Sequence, residues 1–414
     1  MVFFYNLSIR FYQLLIILAS PFNKKAKQWI AGRKGLFENL EKRIKNNSKI
    51  AWFHCASLGE FEQGRPVIEE FRKQHPAFKI LITFFSPSGF EVRKTYNGAD
   101  YIFYLPIDTP SNAKRFLETV NPEVVFFVKY EFWFNYIKNI RRKKIPFFII
   151  SANFRQGQHF FKWYGGWFRK QLKGIIRIFV QNQKSADLLQ KIGITQVTIS
   201  GDTRFDRVHS ITQHVKPFPV IEKFCKDSDV FIAGSSWPPD EELLTKLINS
   251  EKTKCKFIIA PHMVDKPHIA AIAEKIKKGH VVLYSEADEE NVMYAKVMII
   301  DSIGILSHVY QYGKIAYIGG GFGSGIHNIL EAATFGMPVI FGPKYHKFQE
   351  AVNLIEEGGA YSIRNEQEFS DVVMKLMSNP ALLKEKSEIA RNFVQKNIGG
   401  TEIILKETSS FLNS

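Results

Sequence analysis

Short apolar runs, each followed by a stretch with helical spacing, recur along this 414-residue chain and constrain its fold more than any other feature. Runs rich in β-branched and aromatic residues are typical of strands buried on both faces, as in a parallel sheet covered by helices. In the first half the predicted strands are 49–55, 79–85, 124–128, 146–150 and 175–180. In the second half they are 230–233, 256–260, 281–284, 297–300, 315–318 and 338–341.

The pattern loosens between the two series, and this change predicts a domain boundary. Residues 201–214 have no clear period, and Pro217 and Pro219 follow them. A chain of this length suits two α/β domains better than one core. We therefore predict an α/β protein with two doubly wound, Rossmann-like domains, residues 26–215 and 216–414, which face a central cleft that binds ligands.

The segment 1–25 is predicted to be a separate N-terminal element. An apolar run at 11–22 follows Arg10 and precedes Lys24 and Lys25. The run is shorter than the roughly 20 apolar residues of a spanning helix, and Pro21-Phe22-Asn23 is a poor cleavage site for a signal peptide. We expect an interfacial helix or a tilted membrane anchor with its basic residues on the cytoplasmic side. A buried N-terminal helix is the alternative.

The net charge of +16 is concentrated in the first half of the chain. Residues 1–50 contain ten Lys and Arg against two acidic residues, and residues 136–177 contain eleven against none. Such a field attracts anionic lipid, nucleic acid or a phosphorylated substrate. Because aromatic residues such as Phe147, Trp163 and Trp167 interleave with the second cluster, we expect a patch for a phosphorylated lipid. Single-stranded nucleic acid and core aromatics under a solvated basic face are the alternatives.

Three widely spaced cysteines, Cys55, Cys225 and Cys255, form no CxxC pair. This spacing fits a reducing compartment and predicts neither a disulfide framework nor a zinc site.

A glycine-rich stretch, residues 314–342, follows the pattern of a nucleotide-binding turn: KIAYIGGGFGSGIHNILEAATFGMPVIFG. A predicted strand ends in glycines, a small-residue loop follows, and a helix is predicted to begin near Ile326. Glycines let a phosphate approach the backbone, and a helix N-terminus stabilises its charge. Asn328 and Glu331 would share a face of that helix, where Glu331 can accept hydrogen bonds from a ribose diol. A tight structural turn is the alternative. The predicted phosphate-loop residues are Gly320, Gly321, Gly323, Ser324 and Gly325.

The first domain contains a similar strand-to-helix turn at residues 52–63 (WFHCASLGEFEQ). Glu60 opens the predicted helix, and the helix N-terminus favours its ionised form. A carboxylate at the carboxyl edge of a sheet can accept a proton from a substrate hydroxyl. The alternative is that Glu60 only caps its helix. Glu131 follows the strand at 124–128 as a second carboxylate, and its alternative role is an ion pair with Lys129 or with a neighbouring helix.

Several of these windows resemble the 3-deoxy-D-manno-octulosonic acid (Kdo) transferases of Gram-negative lipid A assembly. The resemblance runs in order from about residue 52 to 342, over both predicted domains. This chain departs from the family at two places. It has Asn153 where the family carries an arginine. It also has Pro261-His262-Met263 where members carry Pro-Arg-His, and there Lys266 or His268 would have to supply the missing positive charge. The similar windows are Ser57-Leu58-Gly59-Glu60, Glu131-Phe132-Trp133, Ser151-Ala152-Asn153-Phe154, Val180-Gln181-Asn182, 201–206, Gly234-Ser235-Ser236-Trp237, 301–304 and 327–331.

The resemblance implies a glycosyltransferase-B fold and an inverting transfer of Kdo from CMP-Kdo to a lipid A precursor (lipid IVA) in lipopolysaccharide core assembly. It implies no cofactor and no metal ion. The expected location is the cytoplasmic face of the inner membrane, with anionic lipids as partners and no nucleic acid.

We also predict roles for individual residues. Glu60 would be the general base, Glu131 a second catalytic residue, and Ser57 and Arg155 acceptor-binding residues. The residues assigned to the donor are Gly234, Ser235, Ser236, Pro261, His262, Gly320, Gly321, Gly323, Ser324, Gly325, Asn328 and Glu331.

Two other functions stay open from the sequence: a two-domain transferase that uses a UDP-sugar, and a non-enzymatic basic protein that binds lipid or nucleic acid. A dinucleotide oxidoreductase is disfavoured, because GGGFGSG at 319–325 departs from GxGxxG and lies late in the chain.

Overall fold

The computed structural model describes residues 1–45, 48–129 and 131–412 and divides into two compact units. Unit 1 consists of Met1–Arg207 and Ile398–Ser414, and unit 2 of Val208–Asn397. Each unit contains a seven-stranded sheet whose strands pair in parallel. The two parallel sheets predicted from the alternating pattern are therefore confirmed.

Unit 1 has the strand order β3-β2-β1-β4-β5-β6-β7. Trp52 and Phe53, adjacent in β1, enter separate apolar layers on opposite faces of the sheet, as buried parallel strands require. Its strands are β1 (Ile50–Cys55), β2 (Lys79–Phe84), β3 (Tyr101–Tyr104), β4 (Val124–Val128), β5 (Phe147–Ala152), β6 (Arg177–Val180) and β7 (Val197–Ile199). The helices up to the unit boundary are α1 (Val2–Ala19), α2 (Lys24–Ala31), α3 (Leu36–Arg43), α4 (Leu58–Gln74), α5 (Pro87–Arg93), α6 (Pro110–Val120), α7 (Phe134–Arg142), α8 (Gly166–Leu172), α9 (Gln183–Gln190) and α10 (Arg204–Gln213).

Unit 2 repeats the architecture with the order β10-β11-β9-β8-β12-β13-β14. Its strands are β8 (Val230–Ser236), β9 (Lys256–Pro261), β10 (His280–Leu283), β11 (Ala295–Ile299), β12 (Ile315–Ile318), β13 (Val339–Phe341) and β14 (Ala360–Ser362). Its helices are α11 (Pro219–Cys225), α12 (Pro238–Asn249), α13 (Lys266–Lys275), α14 (Asn291–Tyr294), α15 (Leu306–Val309), α16 (Leu330–Ala333), α17 (Gln349–Glu356), α18 (Glu366–Ser378) and α19 (Pro380–Gln395).

The predicted division at residues 215 and 216 is wrong in two respects. The boundary between the units falls within α10, and the last helix, α20 (Gly400–Ser409), belongs to unit 1. The Asp206 carboxylate accepts hydrogen bonds from the N–H groups of Gly399 (2.6 Å) and Thr401 (2.7 Å) at the start of α20. Ile404 and Leu405 of α20 join the apolar layer of Phe53. This helix buries its apolar side against unit 1, so it does not extend unit 2.

Helix α1 is longer than its apolar run predicted, because it begins at Val2 and continues through Arg10. Among the described residues it is the one helix whose length and composition would allow it to cross a bilayer. The alternative of a buried N-terminal helix is wrong, since Ile9 is its one buried residue.

Candidate active site

The turn from β1 into α4 places Glu60 beside Ser57. Ser57 is the N-cap residue of α4, and Glu60 lies in the first turn of the helix. The Ser57 hydroxyl donates a hydrogen bond to a Glu60 carboxylate oxygen, and the Lys129 Nζ lies 3.9 Å from the other oxygen. Lys129, the alternative ion-pair partner of Glu131, is therefore placed next to Glu60. These contacts fix the direction in which the carboxylate points.

Glu131, which follows β4, lies beside a buried histidine that the sequence analysis missed. The Glu131 carboxylate is 3.8 Å from Nε2 of His54. That nitrogen accepts a hydrogen bond from the Trp133 indole N–H at 3.2 Å, while Nδ1 lies 3.1 Å from the Thr83 carbonyl oxygen. These partners assign the proton to Nδ1, because a protonated Nε2 could not accept the indole hydrogen bond. An imidazole with its one proton on Nδ1 carries no charge, so the contact between His54 and Glu131 is not an ion pair.

Glu60 and Glu131 line the same cavity of unit 1, about 490 Å³ in volume. Ser57 also lines it, whereas Phe85 and Trp133 form an apolar part of its wall. A cavity lined both by carboxylates and by aromatic rings suits an amphiphilic ligand. Arg155, the other residue predicted to bind the acceptor, is exposed and does not line this cavity, so the structure does not bring it together with Ser57.

Helix α1 contributes two further cavity residues, Tyr5 and Ile9. Neither belongs to the turns on which the site was predicted. No local sequence pattern indicates that a helix some 50 residues before α4 returns to the carboxyl edge of the sheet.

The basic and aromatic segment 136–177 contains two kinds of aromatic residue. Phe147, Phe148, Phe154 and Phe160 are buried in the core of unit 1, so these four cannot contact a ligand at the surface. Trp163 is 93% exposed and Tyr164 is also exposed. Trp163 and Tyr164 are therefore at the surface, where the expected patch would need them, whereas the expectation is wrong for the four buried phenylalanines.

In unit 2, the end of β8 is closely packed. A Cβ atom at Gly234 would lie 1.9 Å from the Tyr310 hydroxyl oxygen, so packing explains this glycine. The buried Ser236 hydroxyl donates to Oε1 of Glu241 at 3.1 Å, and Nε2 of His268 lies 3.0 Å from the same oxygen. Ser236, which was assigned to the phosphate or the sugar of the donor, therefore uses its hydroxyl proton within the protein. His268 faces the Glu241 carboxylate, so it does not replace the missing arginine. Ser235, the residue before the last one of β8, has a positive φ of 54°, and the pairing of β8 with β9 shifts register there.

The loop after β12 uses several of its N–H groups internally. The Gly320 N–H donates to the buried Asp240 carboxylate at 2.9 Å. The N–H groups of Gly323 and Gly325 both donate to the Gly320 carbonyl oxygen. The predicted phosphate contacts of these three N–H groups are therefore wrong in this conformation.

Other N–H groups of the same loop remain available. Within residues 131–412, the N–H groups of Gly321, Phe322 and Ser324 donate no hydrogen bond, and Gly323 and Ser324 are exposed. Backbone N–H groups that are not engaged within the protein suit an anion. Gly321 itself is also a packing residue, because a Cβ there would lie 2.6 Å from the Gly342 backbone.

The predicted helix start near Ile326 is wrong. Helix α16 begins at Leu330 and has four residues, so a long helix dipole does not face the loop. The Asn328 side chain accepts a hydrogen bond from the Leu330 N–H (3.2 Å) and donates one to the Glu331 carboxylate (3.0 Å). Asn328 and Glu331 therefore lie together, as expected, but Asn328 precedes the helix and contacts Glu331 of its first turn through the side chain.

Three aromatic rings stack at the carboxyl end of this sheet. The His262 ring lies 4.5 Å from the Trp237 ring and 4.6 Å from the His327 ring, and the Trp237 indole donates to Nε2 of His327 at 2.9 Å. Burial, followed by the charge of His262, lowers the pKa of His327 to about 4, and burial also lowers the pKa of His262. Both imidazoles are neutral at pH 7. His262 therefore does not replace the positive charge of the family's arginine.

Lys344 is a cation that the sequence analysis missed. Its Nζ lies 3.4 Å from the Phe322 carbonyl oxygen, beside the loop tip, and its side chain is exposed. The segment Gly342-Pro343-Lys344 directly after β13 was the available signal, since carboxyl ends of parallel strands meet at one edge.

The comparisons with known proteins agree with the predicted resemblance. Residues 30–207 match the family model described as 3-deoxy-D-manno-octulosonic-acid transferase (kdotransferase). The 3-deoxy-D-manno-octulosonic acid transferase of Aquifex aeolicus is 30% identical over 363 residues, which cover 85% of this chain and 94% of that protein.

Two solved structures show the same fold. A UDP-GlcNAc 2-epimerase from Neisseria meningitidis, bound to UDP-GlcNAc, has a TM-score of 0.61 at 17% identity and covers 86% of this chain and 98% of its own. A glycosyltransferase from Rickettsia africae has a TM-score of 0.57 at 14% identity, with coverages of 88% and 99%. The glycosyltransferase-B fold is thus confirmed, and the chain is a glycosyltransferase that belongs to the Kdo transferase family.

Proposed function

We propose that this protein transfers Kdo from CMP-Kdo to a primary hydroxyl of a lipid A precursor, with inversion at the anomeric carbon and without a metal ion. The observation that carries this proposal is the cavity in which Glu60 and Glu131 face the same space as an apolar wall. A glycolipid acceptor has the matching chemistry, because it presents sugar hydroxyls next to acyl chains. Lipid IVA is the specific acceptor that the family resemblance implies.

Glu60 is the proposed general base. Its carboxylate takes the proton of the acceptor hydroxyl as the hydroxyl oxygen forms a bond to the anomeric carbon of Kdo. The bond between that carbon and the phosphate oxygen breaks on the opposite face, and CMP leaves with the electron pair. Ser57 orients the base through its hydrogen bond to Glu60. Glu131 is the second carboxylate in reach of the acceptor.

Unit 2 is proposed to bind the donor. The available N–H groups of Gly321, Phe322 and Ser324, together with the Lys344 ammonium, suit the phosphate or the Kdo carboxylate. Glu331 is proposed to bind the ribose, in an orientation set by Asn328. Ser235, at the end of β8, keeps its proposed contact with the donor.

The proposed location is the cytoplasmic face of the inner membrane, with anionic lipids as partners and no nucleic acid. The exposed apolar side chains of α1, such as Phe3, Phe4 and Phe11, and the exposed Trp163 support an interfacial position. The basic residues at 24–27 and 136–177 would face the anionic headgroups. Liposome flotation should show tighter binding to anionic vesicles than to neutral ones, and equal binding to both would contradict this location.

Product analysis by mass spectrometry tests the reaction directly. The purified 414-residue protein, CMP-Kdo and the lipid A precursor should give an acceptor whose mass increases by one or more Kdo residues, with release of CMP. EDTA should leave the rate unchanged. CMP should raise the melting temperature more than UDP does. Transfer only from a UDP-sugar, or a stronger effect of UDP, would favour the related UDP-sugar transferase instead.

A further inference from the structure

Helix α1 has two faces with different surroundings. Phe4 and Leu7 are exposed, whereas Ile9 is buried and Tyr5 and Asn6 are half-buried. Tyr5 and Ile9 are four residues apart, so their side chains lie above one another on one side of the helix. We call Tyr5, Asn6 and Ile9 the inner face of α1.

Polar contacts attach the inner face to the body of unit 1. The Tyr5 hydroxyl donates a hydrogen bond to Oδ2 of Asp108 at 2.6 Å, and the Asn135 side-chain amide donates to Oδ1 of Asn6 at 2.9 Å. The Tyr5 ring also contacts the rings of Phe134 (5.6 Å) and Trp167 (5.7 Å). The helix is therefore held in one position by directional contacts as well as by packing.

Asp108 makes this attachment strong. Its side chain is buried and accepts hydrogen bonds from the N–H groups of Asn135 and Tyr136, each at 3.0 Å, in addition to that of Tyr5. Burial raises the pKa of Asp108 to about 6, and the hydrogen bonds oppose this shift. The carboxylate is charged at neutral pH, so loss of the Tyr5 hydroxyl would leave a buried charge without one of its donors.

The same inner face lines the cavity of Glu60. Tyr5 and Ile9 share this cavity with both carboxylates, and Ile9 continues its apolar wall. An acceptor whose hydroxyl reaches Glu60 in a cavity of this size would therefore contact α1.

We infer that the inner face of α1 is part of the acceptor site, where Tyr5 and Ile9 position a glycolipid against Glu60. This inference rests on the proposed function. It assigns a role to α1 beyond contact with a membrane: the inner face selects and orients the acceptor, whereas the outer face, Phe4 and Leu7 included, is free for a bilayer.

Kinetics in detergent micelles separates the two faces of α1, because partition into a membrane no longer limits the rate. Tyr5→Phe should raise the acceptor KM about tenfold, because loss of the hydrogen bond to the charged Asp108 no longer fixes the inner face of α1 at the cavity. Ile9→Ala should raise it about fivefold through loss of apolar contact. The matched outer-face variants Phe4→Ala and Leu7→Ala should stay within about twofold of the original enzyme. The donor KM should be unchanged in all four.

Each outcome of this experiment decides one question. An unchanged acceptor KM in Tyr5→Phe and Ile9→Ala, or equal changes in the inner-face and outer-face variants, would overturn the inference. A purely structural defect would reduce the active fraction, and so kcat, without a selective change in the acceptor KM. Absence of Kdo transfer by the unsubstituted protein would reject the proposed function itself, independently of the variants.

Discussion

The cavity of Glu60 in unit 1 and the glycine-rich loop in unit 2 have the same origin in sequence, a strand that ends in a turn, but different structures. In unit 1 the predicted side chains of Ser57, Glu60 and Glu131 converge on one cavity. In unit 2 many of the predicted groups bind or pack against the protein itself, as the contacts of Gly320 with Asp240 and of Ser236 with Glu241 show. A turn at the carboxyl end of a strand thus predicts where a candidate site lies, but it does not distinguish a residue that contacts a ligand from one that packs against the protein.

The largest expected effect tests the unit 1 side of this comparison. Glu60→Gln should lower kcat by about a hundredfold to ten-thousandfold, because the amide cannot accept the acceptor proton. The stabilisation by CMP should persist, since Glu60 lies outside the proposed donor site. Steady-state kinetics and thermal shift measure the two quantities.

Glu62→Gln is the matched control for this experiment. Glu62 lies in the same helix and pairs with Arg93 at 2.6 Å, away from the cavity lining. Its kcat should stay within about twofold of the original. Near-normal turnover of Glu60→Gln would reject the assignment of the base.

The next effect tests whether glycines of the unit 2 loop are packing residues. Gly321→Ala should lower the free energy of unfolding by about 1–3 kcal/mol, because the new Cβ would lie 2.6 Å from the Gly342 backbone. Gly323→Ala is the matched control: the nearest atom is the Gly320 carbonyl oxygen at 3.5 Å, so stability should change by less than about 0.5 kcal/mol. Urea unfolding measures both, and equal losses would contradict the distinction between these glycines.

The sequence predicted the sheets well because central parallel strands are buried on both faces and therefore form continuous apolar runs. It missed β3, β7 and β14, which are short strands at or near the sheet edges; β7, for example, has three residues and no fully buried position. It also misplaced α20, since nothing local indicates that Asp206 binds the N–H groups of a helix almost 200 residues later.

For the site, the sequence predicted the residues that lie directly at strand ends, such as Glu60 and Glu131. It could not predict partners brought in from distant segments. Tyr5 reaches Asp108 across 103 residues, and Asp240 binds the Gly320 N–H across 80. Side chains of this kind decide whether a turn has free groups for a ligand, and no short motif contains that information.

A smaller effect tests the proposed donor site in unit 2. Glu331→Ala should raise the donor KM by about tenfold, as expected for loss of a hydrogen bond to a charged group, with little change in the acceptor KM. Asn328→Ala should raise it less, because Glu331 stays but loses the amide contact at 3.0 Å. Initial rates over a range of CMP-Kdo concentrations measure both. An unchanged donor KM in Glu331→Ala would contradict the ribose contact.

The smallest expected effect concerns the three stacked rings of unit 2, which have no counterpart in the cavity of Glu60. The pKa of His327 is lowered to about 4 in the folded protein, against about 6.5 in an unfolded chain. As the pH falls below 6.5, the unfolded state binds a proton at this histidine while the folded state does not. The free energy of unfolding is therefore unaffected by this group above pH 6.5 and declines from there towards pH 4. Because the ring is partly exposed, the free energy of unfolding should be lower at pH 5 by on the order of 1 kcal/mol.

The variant His327→Gln tests this effect. It keeps an acceptor for the Trp237 indole and removes the titrating group, so its unfolding free energy should fall less than that of the original protein between pH 7 and pH 5. Parallel pH profiles for the two proteins would show that the stack does not hold His327 neutral.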